Sequence, residues 1–190
     1  MKKVTLLCTL IICALLSKAQ TEKGNWMVGG TIGGLNFKST GSANQVFTIG
    51  INPTVAKFVS ANLAIGGGID ILYSKPKNAN GAFDFGIVPL ARYYFKRDGA
   101  NGLFGQLRAG IGIHSYDDGV AGTDNSSTTF IGGVGVGYNR FLTDNVALEA
   151  GLAYTIYNPT KSGPATNNVG LNVGFQIFLP SKNARQILNR

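Results

Sequence analysis

Cysteine is almost absent from this chain. Of its 190 residues only Cys8 and Cys13 carry a thiol, and both fall in a leader that is expected to be removed. Met1-Lys2-Lys3 is a basic start, Val4 to Leu16 is an apolar run of thirteen residues, and Ser17-Lys18-Ala19-Gln20 offers small residues at the positions a signal peptidase reads. These features predict a secretory signal over residues 1–19, cut after Ala19. Thirteen apolar residues fall short of the roughly 20 that a membrane-spanning helix needs. Leu7 and Ile12 precede the cysteines where a lipoprotein signal would carry a small residue. The mature chain therefore has no disulfide framework, no cysteine-ligated metal and no cysteine nucleophile.

Charge is scarce as well: 14% of residues are charged, with 17 basic against 9 acidic. Without Lys2, Lys3 and Lys18, 14 basic residues remain and the formal net charge drops from +8 to +5. These charges are scattered. With no basic stripe and no reader motif, nucleic acid is not an expected partner. Beyond residue 20 no apolar run approaches the length of a helical membrane span.

What fills the chain instead is alternation. In "NVGLNVGFQIFLP" (Asn168 to Pro180), Val169, Leu171, Val173, Phe175, Ile177 and Leu179 share one face. Gly170, Asn172, Gly174, Gln176 and Phe178 share the other, which is the period of a strand with two unlike faces. The same pattern predicts strands over 25–37, 46–57, 63–73, 83–96, 102–114, 128–141 and 146–157. The eight strands are joined alternately by long polar loops and short turns. The long loops start at Lys38, Ser74, Ser115 and Asn158; the short turns are "VSAN" from Val59, "RDGAN" from Arg97 and "LTDN" from Leu142.

Two of the short turns repeat one string. Lys57 to Gly67 reads "KFVSANLAIGG" and Arg140 to Ala150 reads "RFLTDNVALEA". They belong to the same end of the molecule, where Phe58, Phe95 and Phe141 are expected to mark one level. "GINP" (Gly50 to Pro53) and "GIVP" (Gly86 to Pro89) repeat upstream, so the unit is a hairpin plus a loop.

The polar row of each strand is mostly Gly, Thr, Asn and Gln, a poor solvated surface but a good filling for a narrow lumen. The apolar row would be an aggregation hazard in water and suits lipid. Strand length, short turns and longer loops match a membrane barrel. Aromatics near the short turns (Phe58, Tyr93, Phe95, Phe104, Tyr138, Phe141) and near the long loops (Phe37, Phe47, Tyr73, Phe83, Tyr116, Phe130, Tyr157) are expected to form two interfacial belts. The predicted fold is all-β: an eight-stranded antiparallel transmembrane β-barrel, an up-and-down meander over residues 20–180. A short basic tail follows over 181–190.

The signal, the eight alternating strands and the aromatic-x-Ser/Thr-x-Asn-aliphatic-Ala turns together resemble the small outer-membrane barrels of the OmpA-transmembrane-domain and OmpX type. The resemblance spans residues 25–179 and implies a Gram-negative outer-membrane location, reached by secretion through the inner membrane. It also implies contact with outer-membrane lipids, handling by the barrel-assembly machinery and, through the long loops, a possible extracellular ligand. Family members commonly end on an aromatic that helps the machinery recognise the last strand. Phe178 is the matching residue, although "LPSKNARQILNR" follows it.

Chemistry-bearing residues are few. Gly29 to Gly34 and Gly132 to Gly137 alternate inside strands rather than preceding a helix, so they read as lumen packing and not as a phosphate loop. His114 is the only histidine; adjacent Ser115 points to the opposite face, so the two make no ready catalytic pair. Asp117, Asp118 and Asp124 miss the calcium-loop spacing. No catalytic residue, metal or cofactor is expected. The inward charges are more informative: Arg92, Arg108 and Glu149 at similar depth, with Asp70 nearer the outer half. Glu149 is expected to bridge Arg92 and Arg108 and to help plug the barrel, since isolated buried charges are costly. A structural or surface-interaction barrel is the leading expectation, a narrow or gated channel the alternative, and a lipid A-modifying enzyme a minor one.

Overall fold

The computed structural model describes residues 21–33, 38–40, 44–76, 81–98, 101–117, 124–160 and 165–181. They form β1 (Trp26–Gly33), β2 (Lys38–Thr40), β3 (Asn44–Phe58), β4 (Leu63–Pro76), β5 (Ala82–Asp98), β6 (Asn101–Asp117), β7 (Asp124–Phe141), β8 (Val146–Pro159) and β9 (Thr166–Leu179). Every pairing is antiparallel, and β1 bonds to both β3 and β9, which closes the sheet into a ring. β2 continues along the edge of β3 that β1 occupies. The two segments therefore share one place, and the barrel has the eight positions expected. No helix occurs among the described residues. The expected signal over 1–19 and the tail from 182 onward lie outside them.

Alternation separates the two faces cleanly. On β9, Val169, Leu171, Val173, Phe175 and Leu179 are exposed on the outer wall while Gln176 and Phe178 are buried inside. On β6, Leu103, Leu107, Ile111 and Ile113 line the outside, opposite buried Phe104. Such a wall is stable only against hydrocarbon.

Strands run further at the long-loop end than alternation predicts. Ser115 to Asp117 pairs with Ser126 to Asp124, inside the expected third loop, and β7 reaches 18 residues. Beyond an apolar layer the backbone ladder continues without needing two unlike faces, so the sequence signal stops before the strand does.

The repeated prolines have a shared consequence. Pro53 and Pro89 face outward, and each has no N–H to give. The β3–β4 ladder skips from Ile51↔Ile71 to Thr54↔Gly68, and the β5–β6 ladder skips from Ile87↔Ile111 to Leu90↔Arg108. Beside Pro89, opposite Val88, the strands run close enough that a Cβ on Gly110 would stand 2.2 Å from the Ile87 carbonyl oxygen.

The repeated turns are built alike. Ser60 Oγ accepts from the Leu63 amide at 3.2 Å, and Thr143 Oγ1 accepts from the Val146 amide at 3.1 Å. The Val59 amide donates to the Leu63 carbonyl at 2.9 Å, as the Leu142 amide does to Val146 at 2.8 Å. The Asn carbonyl then carries the ladder one step past the strand. Asn62 accepts from the Tyr94 amide at 2.8 Å, and Asn145 accepts from the Phe178 amide at 2.7 Å. Asn25, ahead of β1, accepts from Phe58 at 2.8 Å in the same way. Each Asn thus pins an inward aromatic of the neighbouring strand. Two residues on, fully buried Met27, Ala64 and Ala147 supply the floor beneath the rings.

Those rings plug the short-turn end. Phe104, Tyr94, Phe58, Phe178 and Phe141 form an arc with successive centroids 5.7, 5.9, 6.1 and 5.0 Å apart, a tilted geometry favourable for aromatic pairs. This corrects the expected belt: Phe58, Phe104 and Phe141 face the lumen, not lipid. Phe95 leaves the level assigned to it and stands 61% exposed on the outer wall, edge-on to Tyr93 at 5.4 Å. Tyr94 takes its place inside. A register shift between Tyr94 and Lys96 changes the count to the turn by one and flips the side. The outer belt here is Trp26, Tyr93, Phe95 and Tyr138.

A clasp covers the plug. Gly24, at φ 97°, donates to the Phe58 carbonyl at 2.8 Å, and buried Asn25 accepts from the Ser181 amide at 3.0 Å through Oδ1. The chain segments flanking β1 and β9 meet there. Because Ala147 is enclosed by the ring arc, Ala147→Leu is expected to destabilise the folded barrel by about 1–3 kcal/mol, read as a lower urea midpoint in micelles. An unchanged midpoint would mean the arc is loosely packed.

Candidate functional site in the barrel lumen

Immediately beyond the plug, Arg92 enters from β5 and Glu149 from β8, both nearly fully buried. Arg92 Nη1 donates to Glu149 Oε2 at 2.6 Å and Nη2 to Oε1 at 2.9 Å, a two-point fork. Nε donates to Gln106 Oε1 at 2.8 Å, and the guanidinium lies 4.0 Å over the Phe104 ring. Met27 Sδ stands 3.6 Å from both Arg92 Nη1 and the Tyr94 hydroxyl. Asn139 Nδ2 reaches Glu149 Oε2 at 3.4 Å. The pair is therefore held on all sides, and the barrel is crossed by side chains from β1, β5, β6, β7 and β8.

A second pair lies nearer the long loops. Arg108 Nη2 and Asn52 Nδ2, the latter at 2.9 Å, both donate to Asp70 Oδ1. This overturns the expected Glu149 bridge: Glu149 binds Arg92, and Arg108 binds Asp70. The reason is register. Arg92 stands opposite Gln106, while Arg108 stands opposite Leu90, so Arg108 is two residues, about 7 Å, further from the short-turn end. Its carboxylate partner is accordingly the higher one.

Between and beside the pairs lie two cavities of about 40 Å³ each. Asn52, Arg108, Ala153 and Asn172 line both. A space of that size takes a few water molecules at most. Asp70 Oδ2 and both side-chain polar atoms of Gln176 have no protein partner, which fits a wet lumen. A far larger concavity, about 630 Å³, lies on the outer wall between residues such as Ile65, Pro89, Leu107 and Ile156. Its apolar lining is that of a surface facing acyl chains.

The remaining expected residues are dispersed. His114 Nδ1 lies 2.6 Å from Asp84 Oδ1 near the long-loop mouth, and alternation turns Ser115 to the other face. Asp117 and Asp124 pair through their backbones, whereas Asp118 lies outside the described residues. No group of three or more His, Cys, Asp or Glu that could hold a metal occurs among the described residues. Phe178 packs in the plug, and the aromatic that β9 turns outward is Phe175. Met27, Tyr94, Gln106, Asn139 and Asp84 were missed in the sequence, although each sits on the inward parity of its strand.

The family description "outer membrane protein beta-barrel domain" matches residues 4–176. The chain belongs to that family. Its barrel is similar to the solved Neisserial surface protein A at 17% identity and a TM-score of 0.61, over 82% of this chain and 99% of that one. It is also similar to Ail, the attachment invasion locus protein of Yersinia pestis, at 12% identity and a TM-score of 0.52, over 83% and 99% of the two chains. OprG from Pseudomonas aeruginosa gives 12% identity and a TM-score of 0.52, over 84% and 98%. No curated protein sequence matches. This outer membrane protein β-barrel is thus an integral protein of the Gram-negative outer membrane, its apolar wall in lipid and its charges turned inward.

Within this outer membrane barrel the pairs are expected to be energetically separate. Glu149→Ala leaves Arg92 buried without its counter-ion and should cost about 3–5 kcal/mol, seen in thermal melting. A double-mutant cycle should return strong coupling for Arg92 with Glu149 and near additivity for Arg108 with Glu149. Equal coupling in both cycles would restore the bridged arrangement.

Proposed function

We propose that this barrel is a closed structural and surface-interaction protein, one that braces the outer membrane and presents its long-loop end outside. The observation that carries this reading is the double closure of the lumen. A five-ring plug at the short-turn end lies directly under the Arg92–Glu149 fork. Eight strands leave an interior just wide enough for side chains to fill, and here they fill it. The names of two similar barrels, a surface protein and an attachment protein, support a surface role. Outer-membrane lipids contact the wall, the barrel-assembly machinery inserts the chain after its signal is cut, and an extracellular ligand would meet the long loops. A narrow, gated channel is the second reading, favoured by the two polar cavities that adjoin at Asn52, Arg108 and Asn172.

Single-channel recording in a planar bilayer separates the two. The refolded mature protein is expected to pass no steady current. Glu149→Ala alone leaves the rings in place, so current should appear only when Phe141→Ala and Phe178→Ala are added. A steady wild-type current would make solute passage the function.

A further inference from the structure

Two glycines on the outer wall serve no packing need. Gly67 on β4 lies between outward Ile65 and Ile69, and Gly132 on β7 between outward Phe130 and Val134. Glycine weakens a strand and commonly marks a place where something else comes close. Crowding accounts for the inward glycines: a Cβ on Gly66 would stand 2.0 Å from the Val55 carbonyl oxygen. It does not account for these two. Beyond its chain neighbours, a Cβ on Gly67 would meet nothing nearer than the Val88 carbonyl oxygen at 3.8 Å, and one on Gly132 nothing nearer than the Phe130 ring at 3.4 Å. Both belong to one row. Gly67 stands opposite Pro89, Pro89 faces Ala109 in the gap of the β5–β6 ladder, and Ala109 stands opposite Gly132. Four small outward residues on four neighbouring strands make a trench about 14 Å long. Ile87, Ile111 and Phe130 form its ridge on the long-loop side, and Ile65, Leu107 and Val134 its ridge on the short-turn side. Each ridge lies about 7 Å from the floor row along the strands, which leaves room between the side chains for one hydrocarbon chain. The outer concavity of about 630 Å³ lies over the stretch from Pro89 to Gly132.

The trench is oblique. Gly67 comes four residues after Leu63 at the short-turn end of β4, whereas Gly132 comes nine before Phe141 at the short-turn end of β7. Its Gly67 end therefore opens low in the wall, toward the periplasmic leaflet. There Val55 on β3 stands opposite Gly67, and the next outward residue toward the turn is exposed Lys57, with Nζ 5.6 Å over the Trp26 ring. Tryptophan marks the interface, so Lys57 stands at headgroup level. We propose that the trench seats one acyl chain of a periplasmic-leaflet phospholipid whose phosphate pairs with Lys57. The chain enters beside Gly67 and crosses Pro89 and Ala109 to reach Gly132, while the second chain stays in the bilayer. Within hydrocarbon, apolarity alone drives no association, but close van der Waals fit over small residues does. Most of the wall meets lipid without preference; here one leaflet and one headgroup charge are selected. The Gly132 end is bounded by Ile156 and Phe130, which offer a headgroup no charge. A helix, about 10 Å across, is too broad for the trench.

Photo-crosslinking tests this on the full mature barrel in vesicles of phosphatidylethanolamine and phosphatidylglycerol. A trace of phosphatidylglycerol carries a diazirine near the end of one acyl chain, and the labelled peptides are read by mass spectrometry. The expected result is label concentrated on β6 and β7 around Ala109 and Gly132. Diacylglycerol with the same diazirine chain but no phosphate should label there about fivefold less, and Lys57→Gln should erase that difference. Gly132→Leu fills the trench with a side chain suited to lipid and should cut the label on β6 and β7 by about fivefold or more. Its melting midpoint, expected to be no lower than that of the wild type, shows the barrel intact. Label spread evenly around the wall, equal labelling by the two lipids, or undiminished labelling in Gly132→Leu would overturn the proposal. Barrels that run as dimers with no lipid label in the trench would overturn it too, and would make a second copy the occupant. The wild-type map and the two-lipid comparison decide the matter even where a variant fails to fold. Current through the lumen is a separate readout, so failure of the closed-barrel reading is visible without failure of this site.

Discussion

A wall surrounded by hydrocarbon must satisfy its own backbone. Each N–H and C=O left unpaired there costs several kcal/mol, and closing a sheet on itself is the way strands avoid an edge. The β1–β9 seam is where this constraint is met, with eight consecutive residues of β1 bonded on both sides. From closure at eight positions follows a lumen too narrow for anything but side chains and a little water. The exceptions to the ladder, at Pro53 and Pro89, are brief, and the register resumes unchanged beyond each.

The narrow lumen then sets the terms for what it contains. Packing at the short-turn end is aromatic because two turns and the segment ahead of β1 deliver the same device: an Asn carbonyl holding the backbone of an inward aromatic, over a small or flexible floor residue. Immediately above, the Arg92 guanidinium is satisfied by Glu149, Gln106 and the face of Phe104 at once. That geometry is what makes a buried charge tolerable. Polarity increases toward the long loops, through Asp70 and Arg108 to Asp84 and His114, as shelter from water declines. One barrel therefore carries a dry end and a wet end.

Much of this was legible in the residues. Period-two alternation located all eight strands, because a strand with one face in lipid and one in a lumen must write both demands into its sequence. The inward parity of Arg92, Arg108, Glu149 and Asp70 was legible for the same reason. Which charge meets which was not. Pairing across a lumen depends on relative height, and the register shift beyond Tyr94 makes the count back from the turn disagree with the count forward from Arg92, which puts Tyr94 in the plug and Phe95 in lipid.

The sequence by itself determined the class of fold, the two unlike faces of each strand and the membrane setting, since local alternation and the composition of each row encode them. Tertiary structure alone decided that Phe58 and Phe141 line a plug rather than a belt. It also decided that Glu149 serves Arg92 while Asp70 serves Arg108, and that residues as distant in sequence as Gly67, Pro89, Ala109 and Gly132 share one row. Those facts are set by the stagger of neighbouring strands, a property of the closed ring that no single strand carries.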